Sequence, residues 1–568
     1  MMSRLFTKVC FNRRVESAFN LNISAPHQLL ALCRRQYAST PLVSQQENQL
    51  GHAAGTDVQR CRKRSRRQYQ TRDGRIGNEN EKSWKLSKHA SKLRQQQHVS
   101  YSKPKMQQFQ APFSAFISCL PGLEPLLLRE VEYLRSQWSI NDDKARNNAN
   151  TGVPQILQGG VKIIVPSLHH LYILHLYLGT ASHIYLRLND DNVDGLPPLF
   201  RARGFPELQR KVKDLIISQR WNEWLTNNDN GHTGEEDSPI NLQVHVITSK
   251  SKLMHTKAVE ERLKQTIREV IPSIKDDDEE GSEQKAQSMI RLMARINRDV
   301  VQLSLDTSNT PLHRRGYRLK PYKAPLREDL ANALLMSGGL MPCWDLRPQF
   351  GSVTTDSFIT LERRESVLFD PCCGSGTIAI EGAAMQSGLP PGRFRPPPLE
   401  GTSFCNPALW EEMKSNALSV SKSAKEDNSI CVAACDIDPK ALDAAKANAK
   451  RAGVEHSIDF FKGSFVIHPF LKQQPNPPGQ KSDSLDETKS LLVVANPPYG
   501  RRLSPNKRQN TIYRKLVNSL LSSSRSIDCA IIGSDVRVMR GSGMPLEVAY
   551  STKHGGLNVV AMTGTLSK

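Results

Sequence analysis

The chain lacks the cysteine spacing of a zinc ribbon or a disulfide-stabilised domain. Its eleven cysteines are scattered over 568 residues, and none of them forms a Cys-x-x-Cys pair. Cys431 and Cys435 are four positions apart and Cys372 and Cys373 are adjacent, which we interpret as small core residues rather than metal ligands. We therefore expect no metal site, no disulfide framework and a reducing compartment.

Long apolar runs are also missing. A membrane-spanning helix needs roughly 18 or more apolar residues in succession. The richest stretch, residues 171–188, is interrupted by His175 and His183. The sequence therefore predicts no membrane partner.

Acidic residues are scarce in the first 110 residues, which supply +15 of the formal net charge of +21. The first 40 residues contain a single acid, Glu16. An Arg-rich, acid-poor N-terminus is typical of an organelle transit peptide, so we interpret residues 1–37 as one, directed to the mitochondrion or, as the alternative, to a plastid. Residues 38–110 predict a basic disordered linker, which is either a solvated tail or an arm that binds nucleic acid through counterion release.

From residue 113 onward, apolar periodicity predicts folded modules, and the length of the chain favours roughly two to four domains. Short strand–helix–strand units between residues 113 and 306 are typical of compact α+β modules rather than a long parallel sheet. Later strands alternate with helices and are predicted at residues 367–370, 431–436, 458–461, 491–496 and 527–533. This alternation predicts a doubly wound α/β domain with a mostly parallel sheet and a C-terminal hairpin.

A glycine-rich turn follows the predicted strand that ends at Asp370. Gly374, Gly376 and Ala379 satisfy a G-x-G-x-x-A pattern, which lets the backbone approach a ligand at a helix N-terminus. The pattern alone suits a dinucleotide equally well, but the ribose-binding acid of a dinucleotide site should lie about 20 residues further on. Here the next strand-end acid, Asp436, comes 62 positions after Gly374, and this spacing counts against NAD.

The spacing instead favours S-adenosylmethionine, because Asp436 ends a strand and a helix follows at once. Asp436 would hold the adenosine sugar, and Asp370 would lie beside the aminocarboxypropyl group. Asp438 has two interpretations, a ribose contact or a helix N-cap. The candidate cofactor-binding residues are Asp370, Pro371, Gly374, Ser375, Gly376, Thr377, Asp436, Ile437 and Asp438.

A second motif, Asn496, Pro497, Pro498 and Tyr499, follows the apolar run at residues 491–495. The amide oxygen of Asn496 and the carbonyl of Pro497 can each accept a hydrogen bond from one –NH2 group, while Tyr499 stacks on the ring that carries it. We take the four residues as the candidate catalytic set for methyl transfer to a planar exocyclic amine. The alternative is a structural Pro-Pro turn.

Together these motifs resemble those of the THUMP-domain methyltransferases, most closely the bacterial 23S rRNA guanine-N2 methyltransferases. The resemblance covers residues 113–568 and rests on segments 122–124, 159–161, 180–182, 304–306, 312–318, 324–326, 370–381, 436–438 and 496–500. It implies three domains: a ferredoxin-like N-terminal module at residues 111–190, a THUMP RNA-binding domain at residues 191–308 and a Rossmann-like S-adenosylmethionine-dependent methyltransferase domain at residues 309–568.

The implied activity is methylation of the exocyclic N2 amine of a guanine in large-subunit, and here organellar, ribosomal RNA. Arg314, Arg315 and Arg318 lie between the RNA-binding module and the catalytic domain and are candidate phosphate contacts, with a solvated or salt-bridged linker as the alternative. The chain departs from the family in having Gly463 and Ser464 where an acid usually follows the third strand. It also ends after one catalytic domain, so the second methyltransferase activity of the fused bacterial form is not expected.

Several other functions remain open at this point. Asn-Pro-Pro-Tyr chemistry would equally serve adenine N6, cytosine N4 or a glutamine side chain in a protein, and a guanine in tRNA is the alternative within RNA. A non-catalytic RNA-binding ribosome assembly factor that retains a methyltransferase fold is the rival from a different class.

Overall fold

The structure is a computed structural model, and it describes most of the chain from residue 112 onward. The described residues are 112–141, 153–191, 193, 195–225, 240–275, 289–319, 322, 325–342, 344–350, 366–400, 402–423, 432–468, 490–498, 507–521, 526–543 and 545–566. The predicted transit peptide (1–37) and basic linker (38–110) lie outside these residues.

The described residues between 113 and 306 form one sheet with helices packed on it. Its strands are β1 (Phe113–Ser118), β2 (Gln155–Leu157), β3 (Gly160–Val165), β4 (His183–Arg187), β5 (Phe200–Arg201), β6 (Ile240–Ser249), β7 (Ile274–Lys275), β8 (Met289–Asn297) and β9 (Val300–Asp306). The helices are α1 (Glu124–Asn141), α2 (Leu168–Tyr177), α3 (Phe205–Ser218), α4 (Trp221–Trp224) and α5 (Thr256–Val270). The strand order is β2-β3-β1-β4-β9-β8-β6-β7, and β5 pairs with β9.

This sheet is continuous across the boundary between the two modules that the sequence predicts. Strand β4 pairs antiparallel with β9, so that Tyr185 lies opposite Asp306. Strand β8 alternates buried and partly exposed residues, as expected for a sheet with one face on the core. Because β4 and β9 belong to different predicted modules, the two modules share one set of backbone hydrogen bonds.

The C-terminal part forms a second sheet, with strands on both sides of β10. Its strands are β10 (Ser366–Asp370), β11 (Val432–Asp436), β12 (Ile458–Lys462), β13 (Ser490–Ala495), β14 (Ile527–Gly533), β15 (Glu547–His554) and β16 (Leu557–Leu566). The helices are α6 (Glu328–Ser337), α7 (Thr377–Gln386), α8 (Pro407–Ser423), α9 (Pro439–Ala452), α10 (Lys507–Leu521) and α11 (Val536–Arg540).

The order of this sheet, β12-β11-β10-β13-β14-β16-β15, confirms the predicted doubly wound α/β architecture. Strands β10 to β14 pair in parallel, whereas β16 pairs antiparallel with β14 and β15. The order of strands reverses between β10 and β13, and in such sheets a ligand crevice forms beyond the carboxyl ends of the strands at that point. The candidate cofactor and catalytic residues both follow strands that end there.

A buried polar junction joins the first sheet to helix α7 of the second. Arg315 Nη2 donates to the Gly179 carbonyl at 2.5 Å and Arg395 Nη1 donates to the His175 carbonyl at 2.5 Å. Glu381 in α7 lies 3.6 Å from the Arg315 guanidinium and accepts a hydrogen bond from the Tyr317 hydroxyl at 2.8 Å. Carbonyl groups in and just after α2 are therefore satisfied by charged side chains from the part of the chain that follows the first sheet.

The structure also differs from the sequence-based prediction at two helices. The apolar residues between Leu326 and Leu335 predict a helix over that range, whereas α6 spans Glu328–Ser337, because Arg327 has an extended backbone and precedes the helix. Helix α8 was not predicted, although its Trp410 is fully buried. Across the described residues, no helix combines the length and apolar character needed to span a membrane.

Replacing Arg395 by Ala should destabilise the protein by about 3 kcal/mol, because the carbonyls of His175 and Leu312 would each lose a buried donor. The midpoint of denaturant unfolding measures this loss. The control is Arg210→Ala, which removes a side chain that is 67% exposed and should change stability by less than about 0.5 kcal/mol. Equal midpoints for the two variants would contradict a structural role for the Arg395 guanidinium.

Candidate active site

The glycine-rich turn connects β10 to α7. Gly374 and Gly376 have φ angles of 54° and 84°, in the left-handed region that favours glycine. A Cβ placed on Gly376 would lie 3.0 Å from the Cβ of Ala445 in α9, so this glycine also permits close packing of the two helices. The turn therefore presents backbone N–H groups at the start of α7, where an anionic group of a ligand is favoured.

Asp436, at the end of β11, holds this turn in place. Its Oδ2 accepts a hydrogen bond from the Gly374 N–H at 2.9 Å, and its Oδ1 accepts one from the Asp438 N–H at 2.9 Å. The Cys373 N–H donates to the Cys435 carbonyl at 3.0 Å. Hydrogen bonds therefore connect the end of β11 to the glycine-rich turn after β10.

Asp370, at the end of β10, is fully buried beneath the turn. Burial raises the pKa of its carboxyl group to about 8, and the neighbouring Asp436 adds to the rise, while backbone hydrogen bonds from Cys372 and Ala379 oppose it. Oδ2 of Asp370 has no hydrogen-bond partner within the described part of the chain. A cationic ligand group above the turn would favour the ionised form of this acid.

Asn496 directly follows β13, whose last five residues are all buried between neighbouring strands. Its Oδ1 is buried and, among the residues that the structure describes, has no hydrogen-bond partner. Such an acceptor is costly to leave unpaired, so the position suits a ligand with an N–H donor. Pro497 is buried and Pro498 is partly exposed, while Tyr499 lies outside the described residues.

A cavity of about 470 Å³ brings the two predicted motifs together. Its walls come from the glycine-rich turn, the end of β11, the turn after β12, the Asn-Pro-Pro segment, α10 and the segment before α6. The predicted site residues that line it are Pro371, Gly374, Ser375, Thr377, Asp436, Ile437, Asp438, Asn496 and Pro498. Asp370, Gly376 and Pro497 are not part of the lining.

The segment that precedes α6 forms a wall of the cavity that sequence reasoning missed. The hydroxyl of Tyr322 donates to Oδ2 of Asp438 at 2.5 Å, and Leu326 also lines the cavity. Oδ1 of Asp438 accepts from the Lys440 N–H at 3.0 Å, so this residue is the N-cap of α9. Both carboxylate oxygens of Asp438 are thus engaged by the protein, which favours the N-cap interpretation over a ribose contact.

The structure corrects the interpretation of two arginines as RNA-phosphate contacts. Arg315 has a side chain that is 1% exposed and bonds internal carbonyls, so it cannot reach a phosphate in solvent. Arg318 Nη2 donates to Oγ1 of Thr377 at 2.8 Å and to the Leu326 carbonyl at 2.9 Å, and it pairs with Glu328 at 3.2 Å. Arg318 therefore ties two walls of the cavity together, and only Arg314 of the three predicted arginines is exposed.

The turn after β12, where the resemblance leads us to expect an acid, lines the cavity. Gly463, Ser464 and Phe465 contribute to the wall, and Oγ of Ser464 accepts from the Val466 N–H as the cap of a short 3-10 turn. Ile437, which follows the end of the neighbouring strand β11, is 75% exposed although it is apolar. Ile437 and Phe465 provide apolar surface for a flat ring such as adenine, which replaces part of the contact that a carboxylate would give.

The polar side chains of the site suit an adenosyl cofactor better than a metal ion. Within the described ranges, no group of three or more His, Cys, Asp or Glu side chains could hold a metal. By contrast, two buried acceptors have no hydrogen-bond partner among the described residues: Asn496 Oδ1, which belongs to a residue of the cavity lining, and Asp370 Oδ2, which lies beneath the glycine-rich turn. Asp370 Oδ2 could accept a hydrogen bond from a cationic ligand group, and Asn496 Oδ1 could accept one from an N–H donor.

Solved structures of methyltransferases share this fold. The methyltransferase SMU.472, complexed with SAH, superimposes with a TM-score of 0.56 at 18% sequence identity and covers 80% of this chain and 98% of that chain. A methylase from Clostridium difficile 630 gives a TM-score of 0.55 at 21% identity, with coverage of 80% and 98%. The chain therefore has a mixed α/β, Rossmann-like methyltransferase fold.

The sequence comparisons find similarity to one family model and to named relatives. Residues 359–540 match the family model UPF0020, the RMKL-like methyltransferase domain. "Ribosomal RNA large subunit methyltransferase K/L" of Marinomonas sp. (strain MWYL1) is 31% identical over 283 residues, which are 49% of this chain and 34% of the relative. The protein of that name from Legionella pneumophila (strain Corby) is 26% identical over 458 residues, 80% of this chain and 53% of the relative.

The chain thus spans between a third and about half of the length of these curated relatives. The resemblance to ribosomal RNA methyltransferases that the sequence predicts is confirmed, most specifically for the segment that contains the glycine-rich turn and Asn496.

Binding of S-adenosylmethionine at pH 7 should release nearly one proton, since the pKa of Asp370 is about 8 without ligand and a nearby cation favours the carboxylate. Because the cofactor favours the deprotonated carboxylate of Asp370, affinity for the cofactor should rise as the pH increases from 6 toward 8. Calorimetric titration in buffers of different ionisation enthalpy measures the released proton. Asp370→Asn should bind without this release, and equal proton release by both proteins would refute the assignment.

Proposed function

We propose that the protein is an S-adenosylmethionine-dependent RNA methyltransferase that modifies the exocyclic N2 amine of a guanine in large-subunit ribosomal RNA. The observation that carries the proposal is the buried, unpartnered Oδ1 of Asn496 in the wall of the cavity that the cofactor-type residues also line. The name of the curated relatives supports ribosomal RNA as the substrate class.

Asn496 and Pro497 would orient the guanine amine. The Asn496 amide oxygen and the Pro497 carbonyl are acceptors, and neither proline has a backbone N–H that could compete for the amine lone pair. Accepting both N–H bonds directs the nitrogen lone pair away from the protein acceptors and toward the cavity. Stacking of Tyr499 on the base stays a prediction from sequence.

The cofactor-type residues would position the donor on the other side of the same cavity. When bound, S-adenosylmethionine supplies an activated methyl group on a sulfonium. Asp436 holds the turn at Gly374 through a hydrogen bond. The carboxylate of Asp370 would attract the cationic amino group of the cofactor, and Ile437 would offer apolar surface to the adenine ring. Because the donor is already activated, alignment and exclusion of water supply most of the rate, and no general base is needed.

The first sheet would bind the RNA, and we retain the proposal of a ferredoxin-like module at residues 111–190 and a THUMP domain at residues 191–308. A polar concavity of about 400 Å³ lies where the loop after β6 meets the β8–β9 turn. Lys250 and Lys252 line it and are exposed, and Arg298 is exposed in the adjacent turn. This edge offers phosphate-binding charge on the module that the relatives would use for RNA.

The N-terminal basic region supports a location in an organelle. Its composition favours the mitochondrion, with a plastid as the alternative. The RNA substrate proposed here is accordingly organellar large-subunit ribosomal RNA.

Asn496→Ala should lower turnover on RNA by about 100-fold or more, because an aligned hydrogen bond to the reacting amine is lost. The dissociation constant for S-adenosylmethionine should change less than about twofold. Transfer of labelled methyl groups measures the first quantity and calorimetry the second, with the exposed Asn518→Ala as the control. Equal losses of turnover and of cofactor affinity would argue against the assigned role of Asn496.

Replacing Lys250 and Lys252 together by Gln should weaken RNA binding and reduce the slope of log affinity against log salt by roughly 1.4 to 1.8, since two phosphate contacts are lost. The control, Lys446→Gln with Lys450→Gln, removes two exposed charges from α9. An RNA affinity and a salt slope equal to those of the control would exclude this edge as an RNA contact.

A further inference from the structure

The cavity contains one lysine that neither the glycine-rich turn nor the Asn-Pro-Pro segment explains. Lys515, on α10, lines the cavity together with Ile512, one turn earlier on the same helix. Residues three apart on a helix share a face, so both side chains project from the side of α10 that meets the cavity. The opposite, buried face of the helix is anchored by Tyr513, Leu516, Val517 and Leu520.

Among the residues that the structure describes, the ammonium group of Lys515 makes no ion pair with a carboxylate, and its side chain is exposed. The charged lining residues on the cofactor side are acids, Asp436 and Asp438, whereas Lys515 is the basic residue among the described lining residues. The sulfonium of the donor gains nothing from a further positive charge in the same cavity. An anionic group of the donor is already favoured at the N–H groups that begin α7, so Lys515 is suited to an anionic group of the second substrate.

The position of Lys515 indicates which anion this is. Asn496 and Pro498, which would hold the target base, line the same cavity as Lys515. A base that is flipped into a pocket brings its own backbone phosphate to the mouth of that pocket. Lysine binds phosphate as a flexible point charge, which fits a group at the rim better than one fixed deep in the site.

We propose that Lys515 binds the backbone phosphate of the target nucleotide and so positions its base against Asn496. This inference rests on the proposed function and extends it, since it names the part of the RNA that the catalytic cavity itself recognises. Lys515 contacts substrate in this account but transfers no proton and no methyl group.

The test compares Lys515→Gln and Lys515→Arg with Arg514→Gln, which removes an exposed charge from the adjacent position of α10 that does not line the cavity. The probes are S-adenosylmethionine and an in vitro transcript of bacterial large-subunit ribosomal RNA. Lys515→Gln should raise the KM for the transcript about tenfold and lower the slope of log kcat/KM against log salt by roughly 0.7. Lys515→Arg should restore most of the loss, and the dissociation constant for S-adenosylmethionine should stay within about twofold in all variants.

Two results would overturn the inference while the proposed function stands. Lys515→Gln could behave as Arg514→Gln does, which would make the lysine a solvated surface group. It could instead weaken S-adenosylmethionine binding and leave the KM for RNA unchanged, which would assign the lysine to the carboxylate of the cofactor. If the unaltered protein neither binds S-adenosylmethionine nor methylates RNA, the proposed function itself fails.

Discussion

The parallel pairing of β10 with β11 on one side and β13 on the other is the constraint on which the site depends. Phe369 lies opposite Ala433 in β11 and Val493 in β13, so the three strands end at one edge of the sheet. Asp370, Asp436 and Asn496 follow from that register, because each is the residue at which its strand ends or the next one. A shift of any strand by one residue would turn its side chains to the opposite face of the sheet and separate these groups.

The site is completed by parts of the chain that lie outside the sheet. Arg318 bonds Thr377 at the start of α7 and the carbonyl of Leu326, so the segment before α6 is tied to the glycine-rich turn. Arg315 and Glu381 then join the same helix to the turn at Gly179 in the first sheet. The position of the first sheet relative to the candidate cofactor cavity is therefore held by buried, hydrogen-bonded charges, which are costly to break singly.

The features that sequence reasoning predicted are those encoded by local patterns. Gly374, Gly376 and Asn496 stand at strand ends whose apolar runs can be read directly, and β14 was predicted at its observed bounds. For Arg315 and Arg318 the structure favours the salt-bridged alternative over phosphate contact. Local spacing could not decide between the two, since some of their partners, Gly179, Glu381 and Thr377, come from remote segments. Tyr322 and Lys515 were missed for the same reason: each reaches the cavity from an element whose own pattern shows only a loop or an amphipathic helix.

The central claim is that Asn496 presents a guanine N2 amine to a methyl donor held over the glycine-rich turn. Its most direct test is mass spectrometry of the nucleosides of large-subunit ribosomal RNA after incubation with the protein and S-adenosylmethionine. The account predicts the appearance of N2-methylguanosine. Methylation confined to adenine or cytosine, or no methylation by protein that binds the cofactor, would contradict it.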